Sequence, residues 1–163
     1  MEEIRIYHSL WKTGLLILVC FAFAALGIYS LVANPEKSGF VFWLGLLFFG
    51  FGGIFMLWLI LKERITGKPY YLVTDESVIM NSGLKAWEVR FVDVESFFLV
   101  GKMIGIRYKK NKEIQKMEDV SRLGRLVRRF NQRIGGSQEY LYAADLTMKP
   151  KELCDLLNKL VKK

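Results

Sequence analysis

The residues whose types and spacing could do chemistry cluster in one stretch, VSRLGRLVRRFNQRIGG, between positions 120 and 136. Five arginines, Arg122, Arg125, Arg128, Arg129 and Arg133, alternate there with Val120, Leu123, Leu126, Val127, Phe130 and Ile134. On an ideal α-helix the apolar set fills one arc and the arginines the opposite one. A basic amphipathic helix suits an anionic lipid surface, where each Lys or Arg contributes about 1 kcal/mol. It also suits an acidic protein surface, or it closes a small domain as a lid with its arginines in water. Nucleic acid fits less well, since the basic face lacks interleaved aromatics and no nucleic-acid-binding module is present.

The rest of the inventory argues against catalysis. His8 is the single histidine and lies far in sequence from the C-terminal half, so no Ser–His–Asp or Cys–His set can assemble there. Asp75 with Glu76, and Glu118 with Asp119, are adjacent pairs whose side chains do not face each other on a strand or a helix. Cys20 and Cys154 have neither disulfide nor metal-ligand spacing. We expect no enzyme activity, no catalytic residue, no metal site and no cofactor.

The elements that must carry the arginine stretch divide the 163 residues into an apolar part and a basic part. Residues 1–61 hold Arg5, Lys12 and Lys37 against Glu2, Glu3 and Glu36, so the formal +8 lies entirely in residues 62–163. Mean hydropathy is +0.22. No charge occurs from Thr13 to Pro35 or from Ser38 to Leu61. A hydrocarbon core of about 30 Å takes about 20 helical residues, and each run is long enough. The spacing predicts spans over 13–33 and 40–61, joined by NPEKSG as an antiparallel hairpin, after a segment 1–12 and before a linker 62–68. A cleaved signal peptide ending near Ala22–Ala25 is the competing reading, but the apolar run continues past it and a second run follows. Arg5, Lys12, Lys62, Arg64 and Lys68 flank the outer ends of the runs and Lys37 the connection, which predicts both termini in the cytoplasm. Trp11 and Trp58 at one interface, and Tyr29 and Trp43 at the other, would serve as anchors. Cys20, Ala24 and Gly27 share one face, and so do Gly45, Gly52 and Gly53, which allows the two helices to pack closely. Neither run holds an ionisable group, which argues against an ion or proton path.

Residues 69–163 read as a curled sheet with helices. Tyr70–Thr74 and Val78–Ser82 flank DES as a hairpin. The alternation of Val89 and Phe91 shifts phase to Val92, Val94, Phe98 and Val100, which places a bend near Val92–Asp93. Met103–Lys110 is a strand, KNK a turn, the arginine stretch a helix, and Glu139–Leu146 a last strand. From Pro150 onward, Leu153, Leu156, Leu157, Leu160 and Val161 form an apolar stripe that must lie on the sheet. Trp87, followed by aliphatic residues, is expected in the core rather than at a membrane surface.

KPYYLVTDESVIMNSG followed by WEVRFVDVESFFLV resembles the bacterial pleckstrin-homology (PH) pattern, with a strand ending in Thr-Asp-Glu and then a Trp-acidic-aliphatic segment. The opening hairpin and the closing LTMKPKELCDLLNKL are similar to small bacterial inner-membrane proteins of this type, mostly of unassigned function. The resemblance implies an α+β membrane protein: a two-helix transmembrane hairpin, then a PH-like curled antiparallel sheet or partial barrel with a basic amphipathic helix and a C-terminal helix. The chain departs from the pattern where its basic helix takes the place of a late hairpin. Some PH domains bind lipid headgroups through basic residues of the first hairpin; here that hairpin carries Asp75 and Glu76, which would repel a phosphate. The expected function is a membrane-anchored, non-catalytic binding or scaffold module at the cytoplasmic face of a bacterial inner membrane, with the bilayer, an anionic lipid surface or a protein as partner. The alternative is a structural subunit that docks through its spans onto a larger membrane complex.

Overall fold

The computed structural model describes residues 3–33, 36, 39–82 and 86–162. Most of the NPEKSG connection, Lys37 included, lies outside the described residues. The chain divides into two compact units, one formed by His8–Lys68 and the other by Met1–Tyr7 together with Pro69–Lys163.

The first unit is an α-helical pair, α1 (Leu10–Ala33) and α2 (Phe40–Thr66). Both are long and apolar enough to cross a membrane. They carry outward-facing Leu18, Leu26, Phe48 and Phe51 in place of a water-facing polar stripe. Of the small residues, Cys20, Gly27 and Gly53 sit where the helices touch. A Cβ on Gly53 would lie 3.2 Å from Cys20 Cβ, and one on Gly27 would lie 3.1 Å from Leu46 Cδ1, while Gly45 and Gly52 face open space. Helix α2 runs five residues beyond Leu61, through most of the stretch read as linker, and stops at Gly67, whose φ of 64° favours glycine.

The second unit is α+β, with two antiparallel sheets, neither of them closed. Strands β1 (Ile4–Ile6), β2 (Tyr71–Val73), β3 (Ser77–Asn81) and β4 (Ala86–Arg90) pair in chain order. Strands β5 (Val94–Val100), β6 (Met103–Tyr108) and β7 (Tyr140–Tyr142) form the other sheet. The phase shift in the apolar alternation is a 3-10 turn at Phe91–Asp93, followed by a register irregularity between Val94 and Ser96. Strand β1 precedes the helical pair in the chain, and β2 follows it. Ile4, Arg5 and Ile6 pair with Val73, Leu72 and Tyr71, and Ile6 is fully buried.

Three further helices complete this unit among the described residues: α3 (Lys110–Glu118), α4 (Arg122–Gly135) and α5 (Pro150–Val161). The lysine-rich segment read as a turn is therefore a helix. Glu113 in its first turn and Lys116 in its last suit the helix dipole. The last strand is shorter than Glu139–Leu146 and ends at Tyr142. Helix α5 behaves as its stripe requires: Leu153, Leu157 and Leu160 are buried in the core with Val94, Phe97 and Ile106. Trp87 packs half-buried against that core.

Candidate functional site: the arginine helix and its docking cluster

Helix α4 begins at Ser121, whose hydroxyl accepts a hydrogen bond from Gly124 N–H at 3.2 Å. It ends at Gly136, which takes a φ of 76°. Between these caps the helix faces the opposite way from α5. Its half-buried stripe is Gly124, Arg128, Asn131 and Gly135, spaced as one helical face. Its apolar arc points outward, with Leu123 72% exposed, Phe130 63% and Ile134 70%. Leu126 and Val127 are exposed with them.

The cause lies in the contacts of the inward stripe. Arg128 reaches Glu139 Oε1 at 2.5 Å and the carbonyl oxygen of Lys116. The other oxygen of Glu139 accepts from Lys116 Nζ at 2.7 Å and from the Tyr108 hydroxyl. Lys116 Nζ also lies 2.9 Å from that hydroxyl and over the rings of Tyr108 and Trp87. One carboxylate thus joins α3, α4 and β6. All three charged side chains are less than a fifth exposed, so the cluster is only weakly screened by water. Burial, and then the charge of Glu139, push the Tyr108 phenol well above the usual tyrosine range.

A second set of contacts holds the C-terminal end of α4. Asn131 donates to the Gln138 carbonyl at 3.2 Å, and its own carbonyl accepts from the Tyr140 hydroxyl at 3.3 Å. Gly135 permits this approach, since a Cβ there would stand 2.0 Å from the Tyr140 oxygen. The buried Ser137 hydroxyl donates to the Ile106 carbonyl at 2.7 Å and accepts from the Ile106 N–H at 3.1 Å. Each inward contact of α4 is therefore polar or small, which leaves the leucines and Phe130 outside.

The five arginines separate. Arg122, Arg125, Arg129 and Arg133 are exposed, whereas Arg128 is committed to Glu139. Trp11, Trp43 and Trp58 are all exposed on the helical pair, and Lys62 sits over the Trp58 ring at 4.8 Å. No known family model, curated protein or solved structure matches this chain.

The other titratable groups have structural surroundings. His8 donates through its backbone N–H to Glu63 Oε1 at 2.9 Å and pairs through its ring with Oε2, while Arg64 donates to the His8 carbonyl at 3.3 Å. This ties the residues before α1 to the end of α2. Cys154 is buried, which pushes its thiol up and leaves it unreactive. Among the described residues, no group of three or more His, Cys, Asp or Glu could hold a metal ion. A cleft of about 390 Å³ is lined by Asp75, Glu76, Arg90, Phe91, Lys109 and Val161. Its two carboxylates offset its two cations, which makes it a poor phosphate site.

Sequence reasoning missed Glu139, Lys116, Tyr108 and Glu63. Each is an isolated polar residue whose partners lie on other elements, and no spacing rule reports such pairs.

Proposed function

We propose that this protein is a membrane-anchored, non-catalytic binding module: a PH-like domain held at the cytoplasmic face of a bacterial inner membrane by a two-span hairpin. One observation carries the reading. The apolar helical pair is inserted in the chain between two adjacent strands of one sheet, β1 and β2. A domain assembled from both sides of the insertion requires both outer helix ends on one face of a bilayer, as an even number of spans provides. The excess of Arg and Lys on those flanks favours the cytoplasm.

The strand count supports the PH-like assignment. Among the described residues, 69–163 supply six strands and Ile4–Ile6 a seventh, arranged four and three, with a C-terminal helix packed on the sheet. The seven strands before the closing helix include one that lies ahead of the spans. A binding role accords with the five exposed apolar side chains of α4, since contiguous apolar surface marks interaction sites.

The test is fractionation of cells expressing the chain with a tag after Lys163, or with one before Met1. The reading expects the protein in carbonate-washed membranes, with both tags protected from protease in intact cells and exposed once the membrane is opened. Recovery in the carbonate supernatant, or digestion of either tag in intact cells, rules it out.

A further inference from the structure

We propose that the outward apolar arc of α4 lies in the interfacial layer of the bilayer, with Arg122, Arg129 and Arg133 among anionic headgroups. This rests on the anchored reading above, and it assigns the face that touches lipid. Five arginines invite the view that the basic side meets the membrane and the leucines meet the domain. In the structure the leucines face outward, and of the arginines Arg128 alone is turned to the domain among the described residues. Arg128, Asn131 and Gly135 fasten α4 to the domain, so Leu123, Leu126, Val127, Phe130 and Ile134 have no core to enter.

Three features select lipid as the occupant. The first is geometry. At 3.6 residues per turn, Arg122, Arg129 and Arg133 border the apolar arc along one side, while the domain-facing stripe borders the other. A helix lying in the membrane plane needs that layout: apolar face toward the acyl chains, long basic side chains reaching up to phosphate. The second is charge. Helix α4 contains no Asp or Glu. Anionic lipid complements it, whereas pairing the same face of two copies would bring their arginines together. The third is proximity. A chain tethered by two spans meets bilayer at high effective concentration, so an interfacial contact too weak to recruit a free domain is populated here.

The experiment uses the full chain with Cys20→Ala and Cys154→Ala, reconstituted in nanodiscs. An environment-sensitive fluorophore is placed on Leu126→Cys, Phe130→Cys or Gln132→Cys, the last being exposed on the opposite side of the helix. Nitroxide-bearing lipids serve as quenchers, and in a background of Trp11→Phe, Trp43→Phe and Trp87→Phe the emission of Trp58 serves as the internal measure of span insertion. The proposal expects blue-shifted emission at 126 and 130, quenched several-fold more than at 132. That contrast should grow with the fraction of anionic lipid and lose this dependence in the triple variant Arg122→Gln, Arg129→Gln, Arg133→Gln. Equal, weak quenching at all three positions, with Trp58 quenched, overturns it while leaving the anchor intact. So does a blue shift without quenching, which means protein covers the face, and so does label-to-label contact between copies. If Trp58 is also unquenched, the anchored reading itself has failed.

Discussion

The side-chain amide of Asn158 satisfies both backbone groups of Phe97. Its Oδ1 accepts from the Phe97 N–H at 2.8 Å and its Nδ2 donates to the Phe97 carbonyl at 2.8 Å. Strand β5 is an edge of its sheet, so α5 supplies the pairing that a neighbouring strand would otherwise make. Asn158→Ala strands a partly buried donor and acceptor together. We expect a loss of about 1–3 kcal/mol, seen as a lower melting temperature in detergent, with Asn158→Asp also destabilising because a carboxylate cannot donate to the carbonyl.

Removing β1 should matter more than its three residues suggest. A fragment of residues 69–163 leaves the edge of β2 open and the Ile6 site empty. The fragment is expected to aggregate or to bind hydrophobic dyes. Joining residues 1–7 to Pro69 through a short Gly/Ser linker, with the helical pair deleted, should restore a soluble fold by sedimentation and circular dichroism. Equal behaviour of the two proteins would show that β1 contributes nothing.

Glu139 is the sole carboxylate in contact with both Lys116 and Arg128 among the described residues. Glu139→Gln leaves two partly buried cations facing each other and should cost about 3 kcal/mol or more. The loss should be felt first at α3 and α4. Hydrogen exchange is expected to rise there while the α5 amides stay protected.

Alkaline pH should unfold the second unit by way of its buried phenols. Burial, chiefly, holds Tyr71 and Tyr108 neutral well past 10.0, the ordinary tyrosine value. In the unfolded chain both ionise near that pH. The stability they contribute is therefore complete below pH 10.0 and falls as pH rises above it. Denaturation curves from pH 8 to 12 should show this decline, with a shallower slope above pH 10 in Tyr71→Phe.

Much of this fold was legible in periodicity. The two apolar runs, the Leu153–Leu157–Leu160 stripe and the phase shift before Val94 each follow from a repeat of 3.6 or 2 residues, and each is where that repeat puts it. Strand β1 escaped notice because three residues, Ile-Arg-Ile, are too few to show a period and their partner lies beyond the helical pair. Helix α3 was hidden because Ile114 and Met117 are too sparse an apolar set to form a stripe. The orientation of α4 was not legible in the sequence, which left a lid, a lipid surface and a protein surface open. Its wheel is strongly two-sided, and two-sidedness alone says the apolar side goes inward. What overrides that rule is the Glu139 cluster together with the close approach of Tyr140 to Gly135, contacts whose members are scattered from 108 to 140. The arginines were recognised as the residues of interest, but their division into one structural member and four exposed ones required coordinates.

The split of one sheet around the helical hairpin has a consequence for biogenesis. Ile4–Ile6 is synthesised before both apolar segments and its partner β2 after them, so in the anchored reading the sheet closes only once the insertion machinery has received both. In that reading, a nascent chain in which only one of the two segments inserts leaves Ile4–Ile6 and β2 in different compartments, and the remaining strands cannot seal their edge. Completion of the sheet would then report on insertion: a chain with both segments inserted can close it, and a chain with one inserted keeps an open edge.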